Sequence, residues 1–326
     1  LSHANLLTNT QALLELWGIT EQDTLIHALP IFHTHGLFVA LNTSLLAGAC
    51  VQFMPSFNLD AIFAALPNAT TMMGVPTFYT RMLGDERLSR ESTANMRLFV
   101  SGSAPLLAET HESFTARTGH RILERYGMTE TNMNTSNPLE GERRAGTVGQ
   151  PLPGVEVIVA DPETGDALHK GEVGMIEVRG PNVFQGYWQM PEKTKAELRP
   201  SGFLITGDLG QYSEDGYLSI VGRTKDLIIT GGYNVYPKEI EDVLNDQPGV
   251  VESAVFGIPD ADFGEAIIAA MVMEAGHTMD PDALGDAVRE RLARFKHPRV
   301  YHQLDALPRN AMGKVQKNML RDQFSP

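Results

Sequence analysis

Three times between Asp23 and Thr118 the chain runs from a short apolar stretch through a loop into a helix, and this alternation narrows the fold more than any other feature. The first round is Thr24-Leu25-Ile26-His27-Ala28-Leu29-Pro30, a His-rich turn and a helix of small residues reaching towards Val51. The second is a strand over Ala69–Gly74 with a helix over Pro76–Leu83, and the third a strand over Leu98–Ser101 with a helix over Leu106–Thr118. Strands separated by helices at this spacing predict a mostly parallel sheet with helical layers. Ligands of such sheets sit in loops beyond the carboxyl ends of the strands. His33, His35, Pro76, Ser101-Gly102-Ser103 and the Tyr126 region all fall there.

After Gly146 the pattern changes. Val155–Ala160, Gly174–Arg179 and Gly216–Val221 are short alternating stretches parted by Asp-Pro, Gly-Asp and Asp-Gly turns, which predicts antiparallel β-structure, barrel-like or a distorted sheet. Beyond Gly222-Arg223-Thr224-Lys225-Asp226 an αβ pattern follows: helix Pro237–Asn245, strands Val251–Ile258 and Ala266–Met273, and a helix from Pro281 to Ala293. The expected class is therefore mixed α/β. Residues 1–145 form the remainder of a large layered domain, 146–222 a β-rich subdomain, and 223–326 a small C-terminal αβ domain.

A formal net charge of -14 argues against nucleic acid or an anionic membrane as the main partner, since both call for basic patches. One cysteine, Cys50, makes no internal disulfide, which fits a reducing cytoplasm. The opening Leu1-Ser2-His3-Ala4-Asn5-Leu6-Leu7 lacks a methionine and reads as helix, capped by Ser2 or Asn5, so a truncated or processed chain is expected.

Four segments bear chemistry. In Tyr126-Gly127-Met128-Thr129-Glu130 a hydroxyl and a carboxylate follow a glycine, a pairing suited to phosphate and Mg2+, with an aromatic ring to cover a purine. A helix N-cap at Thr129 explains those five residues equally well. Thr206-Gly207-Asp208 places a carboxylate at a turn, where it can accept both hydroxyls of a ribose. Gly222 to Glu241 reads as a charged linker, an apolar strand, a Gly231-Gly232 turn and a helix started by Pro237. Leu307-Pro308-Arg309-Asn310-Ala311-Met312-Gly313-Lys314-Val315 sets a lysine behind a glycine.

Taken in order and spacing, these four segments resemble the adenylate-forming superfamily of acyl- and aryl-CoA synthetases, firefly luciferase and peptide-synthetase adenylation domains, over the whole chain. The resemblance implies ATP, Mg2+ and coenzyme A as cofactor and substrates. It implies that Tyr126, Gly127 and Met128 lie over the nucleotide, with Thr129 at phosphate oxygens and Glu130 toward Mg2+. Ser101, Gly102, Ser103, Ala104 and Pro105 correspond to the loop bordering adenine and the acyl pocket. Asp208 and Arg223 match the pair that holds the ribose, and Lys225 the hinge of a rotating small domain. Gly231 and Gly232 fall at the CoA channel, and Lys314 matches the lysine that enters during adenylation. A desolvated ammonium there offsets the repulsion between a carboxylate and the α-phosphate. Acetylation would remove that charge, making a lysine acetyltransferase and deacetylase expected partners.

The Gly-rich loop ending in Pro-Lys-Gly, which in this superfamily wraps the β- and γ-phosphates directly before a segment like Leu1 to Asn5, does not occur in the chain. The expectation is an intact protein longer than 326 residues and a fragment inactive by itself. Met73 to Leu83 and Tyr126 to Pro138 look most like malonyl-CoA synthetases. On that resemblance Arg81 grips a second carboxylate, and His33, Ser101 and Met133 line the acyl pocket; a solvent-facing Arg81 and packing histidines are the plainer alternatives. A different acid substrate, or a non-catalytic nucleotide-binding relative, also remains open.

Overall fold

A computed structural model of the chain describes residues 1–310 and 313–325. It divides into two compact units, residues 1–206 with 210–220, and residues 207–209 with 221–326.

In the first unit, helix α1 (His3–Trp17) begins where a reciprocal cap forms. The Ser2 hydroxyl accepts from the Asn5 backbone N–H and Asn5 Oδ1 accepts from the Ser2 N–H at 2.7 Å, satisfying two donors that a helix start leaves open. Strands β1 (Thr24–His27), β2 (Cys50–Phe53), β3 (Thr71–Gly74), β4 (Leu98–Ser101), β5 (Leu123–Met128), β6 (Asn132–Ser136) and β7 (Gln150–Pro151) make one sheet in the order β2-β1-β3-β4-β5-β6-β7. Pairing is parallel from β2 to β5 and antiparallel from β5 to β7. Helices α2 (Asn42–Ala47), α3 (Leu59–Ala65), α4 (Pro76–Leu83) and α5 (Ala108–Thr118) supply the connections. Pro76 at the first turn starts α4, where its missing N–H costs nothing. Trp17, Tyr79, Phe99 and Phe114 are fully buried, the last three meeting edge-on with ring centroids 5.0–6.3 Å apart.

Strands β8 (Glu156–Ala160), β9 (Gly174–Arg179), β10 (Leu204–Tyr212) and β11 (Leu218–Arg223) form a second sheet in the order β11-β10-β9-β8. Of the two forms expected for this segment, barrel-like or a distorted sheet, the strand order is that of a sheet. Helix α6 (Pro191–Glu197) lies between β9 and β10 in the chain.

The second unit has strands β12 (Ile228–Thr230), β13 (Tyr233–Val235), β14 (Val250–Asp260), β15 (Gly264–Met273) and β16 (Val300–Gln303), ordered β13-β12-β15-β14 with β16 parallel to β15. Helices α7 (Pro237–Asn245) and α8 (Pro281–Arg291) pack Ile240, Val243, Leu284 and Val288 against Val255, Ile267, Ala269 and Met271. The alternate residues Ala254, Phe256, Ile268 and Ala270 face Leu320 of α9 (Lys317–Phe324). Burial on both faces explains the unbroken apolar run in β15.

Candidate active site

The Thr129–Thr131 segment is a tight turn, with Thr131 N–H donating to Met128 O at 3.2 Å, between the antiparallel strands β5 and β6. The alternative of a helix N-cap at Thr129 is therefore corrected: the chain turns back as β6, which continues the sheet. Gly127 has a backbone reason to be glycine, since a Cβ there would lie 1.8 Å from Asn132 O. The Tyr126 ring is buried among Val157, Val159, Ile176, Val178 and Leu218, Met128 is half-buried, and Thr129 is exposed. The turn is tied to the segment from Asn182 to Tyr187. Phe184 N–H donates to Glu130 O at 2.8 Å, Asn182 Nδ2 to Thr131 O at 2.9 Å, and the Tyr187 phenol lies 3.0 Å from Glu130 Oε1.

Met133, 2% exposed, is fixed through its backbone, its N–H donating to Asn9 Oδ1 and its carbonyl accepting from Asn9 Nδ2. Ser101 ends β4 with a buried hydroxyl that has no hydrogen-bond partner among the described residues. Ser103 holds a left-handed φ of 72°, which is strained for a side-chain-bearing residue, and its Oγ meets His35 Nδ1 at 3.2 Å. Ala104 is half-buried and Pro105 exposed. Burial pushes His35 well below the usual histidine range, helped by the nearby Arg125 and His27. His33, which the resemblance placed in the pocket, is half-buried beside Phe32, whereas it is His35 that reaches the Ser103 loop.

Arg125 was not singled out by its sequence context, and it is the most unusual residue of this region. Its guanidinium is buried beneath Gly102, where a Cβ would stand 2.3 Å from Nη1, and its Nε and Nη2 have no hydrogen-bond partner among the described residues. Burial lowers its pKa to about 10, still leaving it charged at neutral pH. A charge so placed is costly unless something anionic comes to it. Arg81, by contrast, is exposed in the last turn of α4, its guanidinium 5.9 Å from the Phe57 ring centroid.

In the second unit the chemistry-bearing residues gather around a strand end and a turn. Asp208, 2% exposed, pairs with Arg223 Nε at 2.7 Å. Thr224 Oγ1 donates to Gly207 O at 3.2 Å, Lys225 is exposed in the short helical turn that follows, and Asp226 pairs with Arg321. Lys314 N–H donates to Asn310 Oδ1 and Lys314 O accepts from Asn310 N–H, so the lysine is held at a closed turn. Ala311 and Met312 of that motif lie outside the described residues. The Lys314 ammonium lies within electrostatic reach of Arg223, Asp208, Lys225 and Asp226, and burial followed by the Arg223 charge lowers its pKa. Gly231 and Gly232, with φ of 56° and 80°, form the two-residue turn between β12 and β13.

The oxygen-only chemistry of Thr129 and Glu130 fits Mg2+, which takes one or two carboxylates together with substrate phosphates. Among the described residues no group of three or more His, Cys, Asp or Glu is placed to hold a metal ion alone. No described helix is long and apolar enough to cross a membrane.

Known proteins match nearly the whole chain. A malonate–CoA ligase of Arabidopsis thaliana is 38% identical over 98% of this chain and 57% of its own length. A probable CoA ligase of Humulus lupulus is 40% identical over 99% of this chain and 58% of its own. The ATP-bound crystal structure of MatB from Rhodopseudomonas palustris superposes with a TM-score of 0.98 at 58% identity, over 99% of this chain and 64% of that one. The chain thus spans less than two thirds of the length of these relatives. Residues 1–188 match the model of the AMP-binding enzymes and residues 239–314 that of their C-terminal domain, and the chain belongs to the AMP-binding enzyme family.

Proposed function

We propose that the protein carrying this chain joins malonate, or a close dicarboxylic acid such as methylmalonate, to coenzyme A at the expense of ATP, through an acyl-adenylate. The observation that carries the ligase reading is the gathering of Lys314, Asp208 and Arg223 in one unit. Asp208 with Arg223 suits a ribose, and a desolvated ammonium beside them suits the point where a carboxylate oxygen attacks the α-phosphate and pyrophosphate leaves. Mg2+, held by Glu130 with the phosphates and with Thr129 beside them, would neutralise charge on the departing pyrophosphate. The thiol of coenzyme A then attacks the acyl carbon and releases AMP, with Gly231 and Gly232 offering a side-chain-free approach.

The malonate reading is supported by two arginines and by the malonate–CoA ligase among the relatives. Arg125 brings a buried, under-bonded guanidinium to the loop of Ser101 and Ser103, and Arg81 offers an exposed one on α4, beside Phe57. A site built around a second carboxylate should reject acetate strongly, because the guanidinium would then stay unpaired, and such mismatches reach roughly 10⁴-fold. The test is pyrophosphate exchange and CoA-thioester formation by the natural-length protein with malonate, methylmalonate, acetate and a fatty acid. Preference for a monocarboxylic acid would overturn the malonate assignment, and exchange with none of a broad acid panel would overturn the ligase assignment.

A further inference from the structure

Tyr187 connects two carboxylates. Its phenolic oxygen lies 3.0 Å from Glu130 Oε1 and 2.6 Å from Glu197 Oε2, the last residue of α6. A phenol carries one hydrogen, so it can donate to only one of them at a time. The shorter distance marks Glu197 as the acceptor, and the Lys193 ammonium stands on the same side, 3.8 Å from Glu197 Oε1 and 4.2 Å from the Tyr187 ring centroid. With the hydrogen given to Glu197, Glu130 Oε1 faces an oxygen lone pair with no proton between them. The contact is held by the surrounding chain. Phe184 N–H donates to Glu130 O, and the Phe184 ring packs edge-on against the Tyr187 ring at 4.8 Å.

We propose that Tyr187 and Glu197 are positioning residues for Glu130, and that Glu197 keeps the phenolic hydrogen away from Glu130 so that the latter's lone pairs stay available to a divalent cation. This rests on the reading of Glu130 as the residue that meets Mg2+. A cation at Glu130 would meet the lone pairs that the phenolic hydrogen, turned to Glu197, leaves open. The geometry assigns different parts to the two partners: Tyr187 sets the direction of the Glu130 carboxylate, and Glu197 sets which way the phenol donates.

The two parts make opposite demands on a pair of mild variants, which separates this device from simple packing. In Glu197→Gln the amide can donate to the Tyr187 oxygen, the phenol then turns its hydrogen to Glu130, and the cation must displace that hydrogen bond. In Tyr187→Phe the ring and its packing remain but no hydrogen can be delivered, whatever stands at position 197. The experiment is titration of Mn2+ in the presence of ATP with the natural-length protein, followed by electron paramagnetic resonance of free Mn2+, with thermal unfolding as a check on folding. Glu197→Gln should weaken Mn2+ binding about tenfold, the scale of one hydrogen bond to a charged group, and Tyr187→Phe less. The double variant should bind no more weakly than Tyr187→Phe alone. Unchanged Mn2+ affinity in Glu197→Gln, or additive losses in the double variant, overturns the proposal. Wild-type protein that binds ATP without any Mn2+ dependence overturns the role of Glu130 and the proposal with it, so the two failures are distinguishable.

Discussion

Replacing Gly102 by alanine tests the packing of the loop of Ser101 and Ser103 on Arg125. The new Cβ would stand 2.3 Å from Arg125 Nη1, 2.4 Å from Cζ and 2.8 Å from Nε. Ordinary carbon contacts lie near about 3.5 Å, so the whole guanidinium has to retreat by roughly 1 Å. Because Arg125 is only 3% exposed, no solvent-facing end can give way. The side chain must leave its rotamer or push back the loop that carries the strained Ser103, and overpacking of this kind costs about 1–3 kcal/mol. For a unit of this size that corresponds to a fall of roughly 2–4 °C in Tm per kcal/mol. The decisive comparison is a double-mutant cycle read by thermal and urea unfolding. In an Arg125→Ala background the added methyl enters vacated space, and Gly102→Ala should then cost less than about 0.5 kcal/mol, a coupling of the size that contacting residues show. Equal destabilisation by Gly102→Ala in both backgrounds would refute the contact as its cause.

Three further outcomes follow from the same structure. Lys314→Ala should lower adenylate formation at least a hundredfold while sparing thioester formation from preformed adenylate, measured as separate half-reactions; since the Lys314 pKa is lowered by burial and Arg223, the wild-type adenylation rate should decline on the alkaline side before an ordinary lysine would deprotonate. His27 is buried with no hydrogen-bond partner for either ring nitrogen among the described residues, and burial lowers its pKa from 6.5 to about 4. The unfolded chain therefore binds the extra proton between those values, and stability should be lost as pH falls through that window, by no more than about 3 kcal/mol, with His27→Leu flattening the slope of urea midpoints against pH. Arg81→Leu should reduce kcat/KM for malonate far more than for a monocarboxylic acid, and equal losses would return Arg81 to its exposed place on α4.

Much was legible locally. Pro76 marks the start of α4 and Pro237 that of α7, and apolar runs bounded by turn residues locate β4 and β9, because these signals act over a few neighbouring residues. The same holds for the family motifs, whose residues at 126–130, 208, 223 and 307–315 stand in a recognisable order. Strand β6 was not legible: Asn132-Met133-Asn134-Thr135-Ser136 is mostly polar and carries no apolar alternation, yet all five residues are buried. Several of their polar groups are met from outside the strand, by Asn9 and Asn182 at Met133 O, Asn182 at Asn134 Oδ1 and Trp17 at Ser136 Oγ, and those residues stand far away in the chain.

The sequence by itself thus determined the strand–helix alternation between Asp23 and Thr118, the family motifs, and the residue types offered to nucleotide and acid. Only the tertiary structure decided the partnerships: Arg125 under Gly102, His35 rather than His33 at Ser103, and Tyr187 between Glu130 and Glu197. Those choices depend on which loops the parallel crossovers bring to one end of a sheet and on how much solvent is left there. Desolvation and non-local approach leave no periodic trace along a chain, so they appear only once it has folded.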